Sequence, residues 1–306
     1  MPALKNIIKQ LPPFNRFIQG RDRLLEEVSE LKKERDRLLH RTLAGDEPRM
    51  AIEEITSEHN LQRLFQHIQD TWQQLGETEP HWSVASAERF RQSSIQNTLD
   101  EFYARGKRLV QRFFCCLDRN DVDYTAFKSC LEYGCGLGRV TRWLSEKFET
   151  VYGYDISLSH LQYAGNYLTE VGISNVTLQH LKCLQDIEKL PKVDAIYSII
   201  VLQHNPPPVI SLIVRSFLRS LNPGGIAFFQ VPTYQLGYDF LLEEYLRYLQ
   251  NKATKHEMEC HVLPQRKIFG IVQQEGGQVL EVLEDGWMGF GYKQVSNSFL
   301  IQKRME

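Results

Sequence analysis

Leu131-Glu132-Tyr133-Gly134-Cys135-Gly136-Leu137-Gly138-Arg139 is the stretch that decides the fold of this chain. The run before it, Ser129–Tyr133, reads as a strand, and Arg139–Phe148 reads as a helix. Glycines at such a junction let the backbone turn tightly and approach a ligand closely, because a Cβ would clash. By itself a glycine loop is a weak signal, since similar loops bind dinucleotides or merely make turns.

The next segment strengthens it. Val151-Tyr152-Gly153-Tyr154-Asp155 is a strand ending in an acid about twenty positions further on, where a carboxylate can accept both hydroxyls of a ribose. The glycine spacing is Gly-x-Gly-x-Gly rather than Gly-x-Gly-x-x-Gly, and Glu132 stands two places before the first glycine. That pattern suits a nucleoside ligand with an amino group to receive and no diphosphate to neutralise.

Further out, strands are expected at Val176–Leu181, Val193–Ile200, Ile226–Val231, Gln278–Glu284 and Asn297–Gln302. Helices are expected over Leu158–Val171, Pro207–Leu221 and Gln265–Glu275. This alternation predicts a largely parallel sheet covered on both faces. Asp285 to Ser296 has no helical pattern and is too short for a parallel crossover, so the last two strands should be antiparallel. The fold class is therefore α/β: a Rossmann-like, seven-stranded, mostly parallel sheet with an antiparallel last strand and an N-terminal helical extension.

Two more segments fall in order: Tyr197-Ser198-Ile199-Ile200-Val201-Leu202-Gln203-His204, and Leu218-Arg219-Ser220-Leu221-Asn222-Pro223-Gly224-Gly225. With these four motifs, residues from about 122 to 303 resemble the class I S-adenosylmethionine-dependent methyltransferases. The resemblance implies S-adenosylmethionine as cofactor. It places Glu132, Gly134, Cys135 and Gly136 along the methionine end, Asp155 at the ribose and Ile156 against adenine. Ser198 to Val201 would lie under the sulfonium. One departure stands out: where many relatives present an acid to the adenine amine, this chain has Lys182-Cys183-Leu184, with Asp186 displaced.

Three regions are expected. Residues 1–50 hold an amphipathic helix (Leu4, Ile7, Ile8, Leu11) stopped by Pro12-Pro13, then a coiled-coil-like segment. In that segment Phe17, Leu24, Val28, Leu31 and Leu38 follow alternating steps of three and four, which points to a homo-oligomer through this helix. The first helix adds an expectation of peripheral membrane contact. Residues 51–121 form a helical cap, with one amphipathic helix marked by Ile52, Ile55, Leu61, Leu64, Phe65, Ile68, Trp72 and Leu75. Residues 122–306 form the nucleotide-binding domain, with 233–263 as an insertion over the acceptor.

Bulk properties exclude several classes. A net charge of −2 with no basic module argues against nucleic acid as a partner, and Asn205-Pro206-Pro207-Pro208 lacks the aromatic of a base-methylating motif. The longest apolar stretch, near Ala195 to Leu202, is too short to span a bilayer, and no secretory signal is visible. The six cysteines lack the spacing of a disulfide or zinc framework. A reducing, cytoplasmic location fits. His256, Cys260 and His261 supply only three ligand-type side chains, so no metal is expected.

The acceptor is harder to read. His204, at the end of the fourth strand, and His261, in the insertion, are the candidate catalytic bases. Each could equally be a packing or surface histidine. Tyr234, Tyr238, Phe240, Tyr245 and Tyr248 offer aromatic faces to a sugar or ring, or pack a helix on the core. The leading expectation is O-methylation of a small molecule or glycan. N- or C-methylation of a natural product, and a cofactor-binding scaffold without catalysis, are the alternatives.

Overall fold

Strands β1 (Ser129–Tyr133), β2 (Thr150–Asp155), β3 (Val176–His180), β4 (Val193–Ser198), β5 (Leu221–Gln235), β6 (Gly277–Asp285) and β7 (Gln294–Lys303) form one sheet in the computed structural model. Their order is β3-β2-β1-β4-β5-β7-β6. The first five pair in parallel, and β7 runs antiparallel to both β5 and β6. This is the expected Rossmann-like sheet with its reversed last strand. The structure describes residues 20, 21, 23–33, 45–252, 257–287 and 293–305. Among them no helix is long and apolar enough to cross a membrane.

The helices are α1 (Glu58–Thr78), α2 (Pro80–Val84), α3 (Leu99–Arg119), α4 (Thr141–Leu144), α5 (Leu158–Glu170), α6 (Leu184–Glu188), α7 (Pro207–Ser220), α8 (Leu242–Asn251) and α9 (Gln265–Gln274). One core joins Val209, Ile213 and Phe217 of α7 to Leu131, Ile196 and Phe229 of the sheet, and Leu64, Phe65 and Ile68 of α1 belong to it. A second core joins Val110, Phe113 and Leu117 of α3 to Cys130, Val151, Ala195 and Phe228. The strands at the centre are thus apolar on both sides, as buried parallel strands must be.

Several boundaries differ from expectation for local reasons. Helix α1 begins at Glu58, not near Ile52, because the Ser57 hydroxyl accepts the Asn60 N–H and caps it. Ile52 instead bridges to Phe240, while Ile55 is 85% exposed. Strand β4 stops at Ser198 because Ile200 takes a left-handed conformation, φ 61°. Strand β5 runs back to Leu221 and carries the Asn222-Pro223-Gly224-Gly225 turn within it.

Residues 23–33 are helical, with Leu24, Leu25, Val28 and Leu31 exposed. Phe17, Leu38 and the amphipathic stretch Leu4 to Leu11, on which the membrane expectation rests, lie outside the described residues, as does His256.

Candidate active site

The carboxyl ends of β1, β2 and β4 open into a cavity of about 870 Å³. This is the edge at which ligands bind in open α/β sheets. Gly134, Gly136 and Gly138 all adopt positive φ, at 75°, 52° and 75°. The N–H groups of Gly134 and Cys135 both donate to the Tyr154 carbonyl, at 2.7 and 3.0 Å, which ties the loop to β2. A Cβ on Gly134 would run into the Val201 side chain, and one on Gly136 would lie 3.0 Å from Val84. The loop therefore fits only glycine at these two positions.

Asp155 is buried, and its two oxygens accept N–H bonds from Gly136 and Ser157, both at 2.8 Å. A carboxylate offers about four acceptor sites, so each oxygen keeps capacity for a ligand hydroxyl. Glu132 is buried as well, and accepts from the Thr141 hydroxyl at 2.5 Å. Burial pushes its carboxyl up to about 8 against the hydrogen bond from Thr141 and the charge of Arg139, which pull it down. An ammonium group placed beside it would restore the ionised form.

Glu132, Gly134, Cys135, Gly136, Asp155, Ile156 and Val201 all line this one cavity. Ser198 does not; its hydroxyl turns inward and donates to the Tyr133 carbonyl at 2.9 Å. Ile199 and Ile200 line the wall instead. A left-handed β-branched residue costs about 1–3 kcal/mol. Ile200 is anchored there by its N–H bond to Gln230, whose amide is fixed by Gln203 and Ser296. Asp186 is occupied elsewhere: its carboxylate accepts the N–H groups of Lys182 and Cys183 and caps α6.

The helical segments before the sheet supply wall residues for which the sequence offered no motif. Ile68 and Trp72 of α1, Ser83 and Val84 of α2, and Leu109 of α3 line the cavity, together with Arg139 and His160. The His160 ring meets the Ser83 hydroxyl at 2.9 Å, joining α5 to α2 over the Asp155 corner. Arg139 stood within the quoted loop, but its sequence context marked only a helix start.

The two candidate bases come together, although not at this cavity. His204 Nδ1 meets the Glu259 carbonyl at 2.7 Å, and His261 Nε2 meets the Glu259 carboxylate at 3.3 Å. The other nitrogens also have partners, Gln203 for His204 at 3.2 Å and the Tyr238 hydroxyl for His261 at 2.9 Å. Burial lowers His204 to about 4, so it is neutral near pH 7. Trp72 stands edge-on to His204, with ring centroids 5.0 Å apart. Trp72 and Ile68 line both the large cavity and a small one of about 230 Å³ that holds His204 and Glu259. They form the wall between the histidine pair and the glycine loop.

Glu259 is the hub of that pair. Tyr245 donates to it at 2.5 Å and Lys252 at 2.8 Å, and His67 of α1 stands 3.5 Å away. Burial alone would raise its carboxyl, yet hydrogen bonds from His261, His67, Lys252 and Tyr245 hold it below the usual range. Beyond it lies a cavity of about 950 Å³ lined by Tyr238, Phe240, Tyr245, Tyr248 and His261.

Residues 130–225 match the family model described as a methyltransferase domain. Over 178 residues the chain is 26% identical to the ubiquinone biosynthesis O-methyltransferase of Escherichia coli, a stretch covering 57% of this chain and 70% of that protein. It is 30% identical over 105 residues to the ubiquinone biosynthesis O-methyltransferase of Pseudomonas fluorescens, covering 34% of this chain and 44% of that one. The magnesium protoporphyrin IX methyltransferase of Synechocystis PCC 6803, solved with bound S-adenosylmethionine, shares the fold. It has a TM-score of 0.52 at 16% identity, covering 78% of this chain and 97% of that one.

Proposed function

We propose that this chain, whose residues 130–225 match a methyltransferase domain, is a class I S-adenosylmethionine-dependent methyltransferase whose acceptor is a hydroxyl group on a small molecule or sugar. Bound in the cavity at the glycine loop, the cofactor supplies a sulfonium methyl group. Glu132 faces the cofactor's ammonium, Asp155 receives its ribose, and Val201 and the left-handed Ile200 shape the wall beside the reacting end.

The observation that carries the hydroxyl reading is the chain Tyr238–His261–Glu259. An alcohol near neutral pH is a poor nucleophile and needs a base to take its proton. With the Nε2 proton of His261 directed at the Glu259 carboxylate, Nδ1 is left to accept from the Tyr238 hydroxyl. The acceptor proton then passes to the Tyr238 oxygen as the tyrosine proton moves to Nδ1. Glu259 steadies the imidazolium that forms. The names of the two bacterial relatives, both O-methyltransferases, support the same chemistry. His204 has both ring nitrogens engaged, and its role in this reading is to position the Glu259 segment.

The aromatic faces of Tyr238, Tyr245 and Tyr248 suit a sugar or aromatic ring. Trp72 and Ile68 stand between the glycine loop and the histidine pair, so in this reading these two side chains move aside to let the acceptor hydroxyl meet both the sulfonium and the relay. The test is a screen of hydroxyl-bearing sugars and phenols for release of S-adenosylhomocysteine. Turnover confined to amines or carbon acids would overturn the reading and leave N- or C-methylation in its place.

A further inference from the structure

The cavity of about 950 Å³ beyond Glu259 is walled by the rings of Tyr238, Phe240, Tyr245 and Tyr248. The centroids of Phe240 and Tyr245 are 5.0 Å apart and those of Tyr245 and Tyr248 are 6.1 Å apart, so these rings form one continuous bank. Tyr248 ends the bank and is 48% exposed, which leaves a ring face open to a ligand. Glu244 lies four positions before Tyr248 on α8 and therefore on the same helix face.

The charge of this cavity has one sign. Asp239, Glu244 and Glu259 line it, and among the described residues no lysine or arginine does. Glu259 is balanced by Lys252, 2.8 Å away, with His67 and His261 beside it. Lys252 is itself buried and also paired with Glu257, so it is engaged on that side. Asp239 accepts the Ala51 N–H, and neither Asp239 nor Glu244 forms an ion pair among the described residues.

A cation is favoured twice in such a place. Ring faces attract it through their quadrupole, and the two unpaired carboxylates attract it through their charge. A neutral ligand gains only the aromatic bank, and an anion is repelled.

We propose that the acceptor is a hydroxyl compound that also carries an ammonium group, held between Tyr248 and Glu244 with its hydroxyl at Tyr238. The proposal rests on the reading of this cavity as the acceptor's side. It narrows the substrate class to hydroxyl-bearing amines, amino sugars and aromatic amines alike, and sets aside uronic acids and phosphorylated sugars. Glu244 and Tyr248 then select the acceptor by charge, a task separate from the proton relay of Tyr238, His261 and Glu259.

Calorimetry on the full chain with excess S-adenosylhomocysteine tests this with three phenols built on one frame. The first bears a trimethylammonium group, the second an uncharged tert-butyl group of the same shape, and the third a carboxylate. The trimethylammonium phenol should bind about tenfold more tightly than the tert-butyl phenol, the scale of cation–π contact combined with an exposed charge pair. The carboxylate phenol should bind more weakly than either. Glu244→Gln should lower the cationic-to-neutral ratio by about twofold to fivefold, and Tyr248→Leu by a similar factor. Both positions are exposed, so these variants test the site without disturbing the core. Added salt should shrink the same ratio. Equal affinity for the cationic and neutral phenols, preference for the carboxylate, or no binding of any of the three would overturn the proposal. The quaternary nitrogen has no lone pair to methylate, so with S-adenosylmethionine supplied instead, the phenol oxygen is the group left to react. A methylated oxygen supports both readings. Charge preference without that product would overturn the hydroxyl reading and leave the ammonium site standing.

Discussion

The carboxylate of Asp155 accepts the backbone N–H of Gly136 at 2.8 Å. The acid at the end of β2 therefore holds the glycine loop in its left-handed turn, and its remaining acceptor capacity is where the proposed ribose would bind. Asp155→Ala should weaken binding of S-adenosylhomocysteine by about 1.5–3 kcal/mol, the range for hydrogen bonds to a charged group. Gly136→Val should abolish it, because φ is 52° there and a Cβ would lie 3.0 Å from Val84. Calorimetry measures both, and retention of binding by Gly136→Val would contradict this geometry.

Glu132 gives a pH signature. Burial lifts its carboxyl from an ordinary 4.5 to about 8, with Thr141 and Arg139 opposing and Asp155 adding to the rise. A group raised on folding contributes stability that is fully present below 4.5 and is lost as pH rises through about 8. Thermal melts of the ligand-free protein should thus show a falling stability across that window, which Glu132→Gln removes. The cofactor's ammonium favours the ionised carboxylate, so binding near pH 7 should release a proton. Affinity for S-adenosylhomocysteine should rise up to about pH 8 and then level off. Calorimetry in buffers of different ionisation enthalpy counts the proton; a count of zero would remove Glu132 from this role.

The relay predicts a split between binding and turnover. Tyr238→Phe and His261→Ala should each lower kcat about a hundredfold or more, the usual size of a lost general base. Neither should change affinity for S-adenosylhomocysteine, since neither residue lines the glycine-loop cavity. His204→Ala should act differently, lowering thermal stability by removing a bond to Glu259. Near-normal turnover of Tyr238→Phe and His261→Ala across pH 6 to 9 would show that proton removal is not their task.

Leu24, Val28 and Leu31 stand exposed on the helix over residues 23–33. A heptad seam left bare on one chain is expected to be covered by another. We predict a homo-oligomer by light scattering that is lost on deleting residues 1–45, with cofactor binding retained. A full-length monomer at micromolar concentration would refute it.

The strand, glycine loop and acid that line the cavity were legible because each is a local necessity. Gly134 and Gly136 stand where a Cβ would meet Val201 or Val84, and Asp155 follows at the distance one strand–helix–strand turn imposes. The reversed last strand followed from the shortness of residues 285–296. The lack of an acid at Lys182-Cys183-Leu184 was also readable, and the nearby Asp186 is taken up in capping α6. The start of α1 was misplaced because the apolar spacing of Ile52 and Ile55 continued through a segment that Ser57 closes off.

What the sequence by itself determined was the sheet, its order of strands and helices, and the residues of one loop and one strand end. Only the tertiary structure decided which side chains share a wall. Trp72, Val84 and Leu109 reach the cavity from helices far upstream, and His204 meets the Glu259 carbonyl across 55 positions. Arg139 takes its place because Gly106 allows α3 to rest on it. Period and spacing report forces between neighbours along the chain. Contacts between distant segments depend instead on how whole faces pack, and that packing placed Trp72 between the histidine pair and the glycine loop.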